Sequence, residues 1–307
     1  MELRALTDEL TSLLGERARP GEPLARHTSL RIGGPADLLV VPDDAQEMAL
    51  VVRAARAHGV PLAVLGNGSN LLVGDGGMRG VVVKLGPGFR RVEWPAESNG
   101  RAVVRAGAAA QLGKLAREAA ARGLAGLEHA EGIPATVGGA LFMNAGAYGG
   151  DMAGAVAAVE GVDAEGRVLE VDADAIGFAY RRTGLPAGFI VTAVRLRLRP
   201  EDAALVRERL DGVRARRVAS QPHGDKSAGS MFKNPPGDFA GRLIDATGLK
   251  GRRVGGARIS EQHANFIVNE NRAWAVDVQA LMAMAQRAVW ERSGVWLEPE
   301  VRLVGSW

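Results

Sequence analysis

The sequence predicts an α+β fold, and three observations carry the prediction. Two successive segments each read as strand and helix followed by a glycine-rich stretch. A strand of strictly alternating Val/Leu and Arg closes the second segment at Pro200. A charged helix then leads into a C-terminal stretch with its own short strands and two helices. These shifts place the domain boundaries at 1–86, 87–200 and 201–307.

Taken in order, Leu3–Leu14 reads as a helix ending at Gly15, and Asp37–Val41 as a short strand. Asp44 opens the next helix, with Glu47 three residues on in the pattern of a capping box. Met48, Val51, Val52 and Ala55 repeat at the spacing of one buried helical face, and Gly59 stands where a helix-ending residue belongs. Leu62–Leu65 is a strand that runs into LGNGSNLLVGDGG. In the second segment Val103–Ala106 is a strand, and Leu112, Leu115, Ala116, Ala119 and Ala120 mark a helix that stops at Gly123. Val156–Val162 and Val168–Val171 flank the turn DAEG as a hairpin. In Phe189–Leu198, Val194, Leu196 and Leu198 alternate with Arg195, Arg197 and Arg199, so one face is buried and the other wet. Glu201–Val218 reads as a connecting helix. Beyond it the pattern predicts helices near 240–247 and 277–292, and strands near 253–259, 265–268 and 295–304.

Composition narrows the function. The chain has 307 residues, 47% apolar, with a net charge of +3, and only five of its 38 basic residues are lysine. That balance provides no field for nucleic acid. Cysteine is absent, which excludes disulfides, thiolate chemistry and zinc–cysteine sites. No signal-peptide core and no run of about 18 apolar residues occurs, so a cytoplasmic protein without a membrane span is expected. His27, His58, His129, His223 and His263 lack metal-ligand spacing, and no metal is assigned.

The stretch Leu65–Gly77 has five glycines but is neither common phosphate loop. No Lys follows the glycines as a Walker loop needs, and Leu71 stands where a dinucleotide fingerprint needs its third glycine. Two readings stay open: an anion nest of backbone N–H groups around Gly66 and Gly68, or a tight strand connection. The stretch Glu131–Gly150, EGIPATVGGALFMNAGAYGG, is too small and apolar for an exposed loop. It reads either as a surface laid against a flat ligand or as close helix–sheet packing.

GNGSNLLV, GIPATVGGALFMNAGAYG, FAYRRT, AGSMFKNP and LEPEVRLVG follow one another in the order found in the UDP-N-acetylenolpyruvoylglucosamine reductase family, which the chain resembles from about Arg31 to Gly305. HTSLRIGGPADLLV resembles that family's entry segment. The resemblance implies a two-subdomain FAD-binding region of the vanillyl-alcohol-oxidase/PCMH type and a C-terminal α+β substrate-binding domain. It implies NADPH-dependent, FAD-mediated reduction of UDP-N-acetylglucosamine enolpyruvate to UDP-N-acetylmuramate. FAD would be held by Gly66, Asn67, Gly68, Ser69, Asn70 and Leu71, its pyrophosphate on their amides. The flavin would lie along Gly132, Ile133, Pro134, Val137, Gly138, Gly139, Ala140, Asn144, Gly146 and Ala147. The loop offers no His or Cys for a covalent link, so FAD is expected to be noncovalent.

The resemblance also implies the catalytic set. Arg181 would stabilise the developing enolate, Ser230 would protonate C2, and Glu300 would complete the site. Tyr180, Lys226, Asn234 and Gln262 would bind the UDP-sugar. From the residues alone, Lys226 or Lys233 is a cation that could steady a serine alkoxide. His129 stands where the family commonly has Phe or Trp, and a packed neutral imidazole is expected there. His223 is read as an exposed loop residue. Only Thr183–Gly188 separates Arg182 from the next strand, so the chain resembles the type lacking a tyrosine-bearing loop. No obligatory protein partner is inferred.

Overall fold

The computed structural model describes residues 2–95, 102–222 and 224–307. It divides into two compact units. The first comprises Met1–Arg19, Leu39–Gly66 and Gly80–Arg217, and the second Pro20–Leu38, Asn67–Arg79 and Val218–Trp307. The helices, in chain order, are α1 (Glu2–Leu14), α2 (Ala45–Ala57), α3 (Leu112–Ala121), α4 (Val137–Phe142), α5 (Ala203–Ser220), α6 (Ala240–Ala246) and α7 (Ala275–Ser293).

The first unit is built on an antiparallel sheet. Its strands run in the order Val168–Asp172, Val156–Val162, Ile190–Pro200, Ala102–Gly107 and Val92–Glu93, with Leu124–Ala125 paired to the end of Ile190–Pro200. The expected alternation holds: Val194, Leu196 and Leu198 are buried while Arg195, Arg197 and Arg199 face out. Arg195 lies directly opposite Arg105 in the ladder, a like-charge pair that would repel. Glu160 resolves it by accepting from Arg105 at 2.6 Å and Arg195 at 3.2 Å. The Arg105 hydrogen bond, then that of Arg195, holds the Glu160 carboxyl below the usual carboxylate range despite burial.

The five apolar positions expected on α3 are all buried against this sheet. Each fully buried leucine there contributes about 2 kcal/mol. Helix α5 is more than a connector, since Val206 and Leu210 join the same core. On α2, Asp44 accepts from the amides of Gln46 and Glu47, both at 2.8 Å. The reciprocal bond of the expected capping box falls one residue early, on the Asp43 amide. Arg17 grips both Glu47 oxygens at 2.6 and 2.7 Å and holds the carboxylate there.

The second unit has an antiparallel sheet ordered Ser227–Ser230, Phe266–Asn269, Ala257–Ile259 and Arg253–Val254, with α6 and α7 supplying its apolar cover. Leu30, Ile32 and Leu72 join Phe232, Ile267, Leu281 and Leu297 in its core. Leu71–Val73 pairs in parallel with Arg302–Val304. The expected strand over 253–259 breaks into a hairpin at Gly255–Gly256. The expected strand over 295–304 shortens to Arg302–Val304, because Glu298 and Glu300 pair instead with Lys233 and Met231. Among the described residues no helix is long and apolar enough to cross a membrane.

Candidate active site

In the second unit the glycine turn is held from below. Gly68 has φ +62, and a Cβ there would stand 2.4 Å from the His27 carbonyl oxygen and 2.8 Å from the Thr28 Cα. Only glycine satisfies both conditions. The Ser29 amide donates to the Gly68 carbonyl at 3.3 Å, and the Ser29 hydroxyl donates to the Ser227 carbonyl at 2.6 Å. The segment HTSLRIGG is thus a brace between the turn and the strand Ser227–Ser230. Among the described residues, the amides of Gly68, Ser69 and Asn70 donate to no protein acceptor. Three successive donors in a half-buried turn are the chemistry a pyrophosphate needs, so the turn fits the diphosphate of FAD. The later glycines of the stretch serve packing: Gly74 and Gly77 pass against the backbones of Ser306 and Pro35. Asp75, between them, accepts from the first amides of α7, Ala275 at 2.8 Å and Val276 at 3.2 Å.

The same unit collects Ser230 and Glu300. The Asn70 side chain donates to the Glu300 carbonyl at 3.1 Å, and the Arg302 amide returns a bond to the Asn70 carbonyl at 3.0 Å. The Glu300 amide donates to the Met231 carbonyl at 2.8 Å, next to Ser230. Ser230 and Glu300 are both half-buried. The remaining residues of this unit are more dispersed. Lys226 and Gln262 are exposed. Asn234 accepts from the Ala240 amide at 3.1 Å, so its oxygen closes the start of α6. Lys233 is paired with Glu298 at 2.5 Å, which leaves Lys226 as the exposed cation of the motif region. His263 is pushed below the usual histidine range by burial. His223 lies outside the described residues.

The first unit organises the second glycine stretch. Its core is a short helix the sequence did not announce, α4, opened by Thr136, whose hydroxyl accepts from the Gly139 amide at 3.2 Å. A Cβ on Gly66 would stand 2.9 Å from that hydroxyl, so the two glycine-rich stretches meet at Gly66 and Thr136. Here the amides are committed: Val137 donates to Ala110 and Gly138 to Ala108, both at 2.9 Å. Unlike the first turn, this stretch offers carbon surface rather than donors. Ile133 and Pro134 are not fully buried, and Val137 and Ala140 belong to the core. Gly132 has φ +74 and lies against the Arg217 side chain, which stacks over Tyr148 at 5.5 Å. Gly146 and Ala147 pair with Gly150 and Asp151 as a small hairpin. His129 packs its ring against Gly150 and is buried, which pushes its pKa down. It is the neutral packed imidazole expected.

Arg181 has a setting its sequence neighbours do not reveal. Ala179 and Arg182 exchange both backbone bonds, at 2.9 and 3.1 Å, and Arg181 sits third in the tight turn with φ +57. That position favours glycine or asparagine. Arg181 is therefore a turn residue and not part of a strand. Its guanidinium donates to the Gly146 carbonyl at 3.2 Å and lies 4.9 Å from the exposed Tyr180 ring. Asn144 is buried and its side chain is engaged by Asp151, Ala153 and Ala179. The positional roles of Ser29, Thr136 and Asn144 were missed by motif reading. An Asn at the end of a helix-forming run was the available signal for Asn144.

Comparison with known proteins agrees with this geometry. Residues 36–172 match the model of an FAD binding domain, and residues 221–304 match the model described as UDP-N-acetylenolpyruvoylglucosamine reductase, C-terminal domain. The chain is 47% identical over 303 residues to UDP-N-acetylenolpyruvoylglucosamine reductase 2 of Symbiobacterium thermophilum, covering 98% of this chain and 97% of that one. It is 45% identical over 307 residues to the reductase of Moorella thermoacetica, covering 100% and 99%. The crystal structure of UDP-N-acetylenolpyruvylglucosamine reductase from Thermus caldophilus superposes with a TM-score of 0.79 at 42% identity, covering 93% of this chain and 97% of that one. With a matching FAD-binding domain and a matching C-terminal domain in one chain, and relatives of this identity over its whole length, the protein belongs to the UDP-N-acetylenolpyruvoylglucosamine reductase family and is an FAD-dependent oxidoreductase.

Proposed function

We propose that the protein reduces UDP-N-acetylglucosamine enolpyruvate to UDP-N-acetylmuramate, a step of peptidoglycan precursor synthesis in the cytoplasm, with NADPH as reductant. The observation that carries this reading is Arg181. A cation is kept in a backbone conformation that costs a non-glycine residue about 1 kcal/mol or more, beside the glycine stretch of the FAD domain. Noncovalently bound FAD would supply the relay of two electrons between NADPH and the enolpyruvyl double bond. The amides of Gly66–Asn70 would hold its diphosphate, and Gly132–Ala140, with Gly146 and Ala147, would offer its ring system an apolar, close-packed surface.

The remaining work falls to side chains. The Arg181 fork matches a carboxylate, and it would stabilise the negative charge that grows on the enolpyruvyl carboxylate and C2. The Ser230 hydroxyl would deliver the proton to C2. Serine is a weak acid, but the carbanion of an enolised carboxylate is a strong base, so the transfer is downhill. Glu300, whose amide bonds to the carbonyl next to Ser230, would orient the proton donor. Tyr180, Lys226, Asn234 and Gln262 would hold the UDP-sugar.

Anaerobic mixing tests the reading. NADPH should bleach the flavin absorbance of the purified protein, and the enolpyruvyl UDP-sugar should restore it with stoichiometric formation of the lactyl ether. Bleaching without restoration would assign a different acceptor.

A further inference from the structure

Asn144 ends α4, with its amide donating to the Leu141 carbonyl at 2.9 Å and its own backbone at φ +39. It is 4% exposed. Its side chain uses both amide hydrogens and its oxygen. Nδ2 donates to Asp151 Oδ2 at 3.2 Å and to the Ala179 carbonyl at 3.1 Å, and Oδ1 accepts from the Ala153 amide at 3.0 Å. Ala179 is the first residue of the turn that carries Arg181 in its left-handed conformation. That turn is tied to the stretch 142–146 at two further points. Arg181 donates to the Gly146 carbonyl at 3.2 Å, and the Thr183 hydroxyl donates to the Phe142 carbonyl at 3.4 Å. Of the three ties, the Asn144 bond is the one whose side chain is buried on all sides. A strained turn persists only where its surroundings over-determine it, and Asn144 is the best-anchored of those surroundings.

We propose that Asn144 is a positioning residue for Arg181: its buried carboxamide registers the Ala179–Arg182 turn against the hairpin Gly146–Asp151 and so fixes where the guanidinium stands. This assigns its side chain to the protein rather than to the cofactor. The inference rests on the reading of Arg181 as the group that stabilises the enolate.

Asn144→Gly isolates the tether, because glycine adopts the left-handed backbone at no steric cost but lacks the carboxamide. The holoenzyme variant should keep its flavin content and its rate of bleaching by NADPH. Its kcat with the enolpyruvyl substrate should fall about 10²-fold, the usual cost of an ångström of misplacement, with KM little changed. In an Arg181→Ala background the same substitution should cost nothing more. Unchanged kcat in Asn144→Gly would overturn the proposal. So would loss of flavin, which would return Asn144 to the cofactor, and so would a full additional loss on top of Arg181→Ala. Turnover retained by Arg181→Ala itself would instead overturn the reading of Arg181. Should Asn144→Gly fail to fold, Asn144→Asp decides. It keeps the size and the Oδ1 acceptor and has lost both donors, and its carboxyl faces Asp151 and the Ala179 carbonyl. Protonation restores one donor, so its kcat deficit relative to the parent should shrink as the pH is lowered. A pH-independent deficit would count against positioning.

Discussion

The Asn70 side chain donates to the Glu300 carbonyl, and the Arg302 amide, two residues further on, donates to the Asn70 carbonyl. The turn proposed to hold the cofactor diphosphate and the segment that carries the proposed catalytic carboxylate are therefore one mechanical piece. Asn70→Ala removes the first bond and leaves the Glu300 carbonyl without that donor, at a cost of about 1–2 kcal/mol. Both flavin affinity and turnover should decline together, while unfolding moves down by only a few degrees. Flavin titration and steady-state rates on the same preparation check it; a change in one without the other would uncouple the two segments.

Gly68→Val should abolish flavin binding. The new Cβ meets the His27 carbonyl and the Thr28 Cα, and the left-handed backbone adds about 1–2 kcal/mol of strain. Because the turn cannot yield without moving Thr28, the variant should also melt several degrees lower. A stable, yellow Gly68→Val protein would remove the turn from the cofactor site.

Arg181→Gly offers a test in which stability and activity part company. Removing the side chain relieves the strain at φ +57, and the extra freedom glycine gains in the unfolded chain, about 0.5–1 kcal/mol, offsets it. The melting temperature should move by no more than about 2 °C, while turnover falls at least about 10²-fold, as expected for losing a charge-stabilising donor. Thermal scans and initial rates decide the point. Parallel loss of both would make the arginine a structural residue.

Ser230→Ala should leave bleaching by NADPH near its normal rate and slow reoxidation by the enolpyruvyl substrate by roughly 10²–10⁴-fold, the usual contribution of a placed general acid. Stopped-flow absorbance resolves the two halves. Equal slowing of both would make the hydroxyl structural, and no slowing would transfer the proton to Glu300 or to water.

Stability should fall on mild acidification. Burial pushes the pKa of His129 and His263 below the ordinary histidine value, so the folded protein keeps both neutral while the unfolded chain protonates near pH 6.5 or so. Their contribution is complete above about pH 6.5 and is lost as the pH falls from there toward the folded values. Glu47 and Glu160, held low by hydrogen bonds from Arg17 and Arg105, add a second loss that begins as the pH enters the ordinary carboxylate range and continues down through their lowered folded values. Urea unfolding across pH should show the first decline in the parent and a flattened one in His129→Leu. An unchanged slope in that variant would assign the decline to other groups.

Much of the fold was legible because it is written locally. The alternation through Arg195–Arg199, the helical face of Leu112–Ala120 and the glycines after α1, α2 and α3 depend only on neighbours in the chain. The candidate site residues came from resemblance, and from the residues alone the glycine turn stayed open between an anion nest and a bare connection. What stayed hidden was set by partners far along the chain. No local pattern shows that Gly68 must clear His27, that Asp75 closes the start of α7, or that Arg17 draws Glu47 away from the Asp44 amide. The left-handed backbone of Arg181 was hidden for the same reason: a motif names a residue type, whereas the strain comes from the turn that Ala179 and Arg182 close around it.

The parallel pairing of Leu71–Val73 with Arg302–Val304 also sets an order of events during synthesis. The two strands are separated by some 230 residues, as are Asn70 and Glu300. At roughly 5–20 residues per second on the ribosome, the glycine turn waits on the order of ten to fifty seconds for the strand that secures it. Throughout that interval Leu71–Val73 is an open strand edge, and the core that Leu30, Ile32 and Leu72 complete lacks its C-terminal partners. A chain stalled before Arg302–Val304 is made therefore exposes an unpaired apolar strand edge at Leu71–Val73.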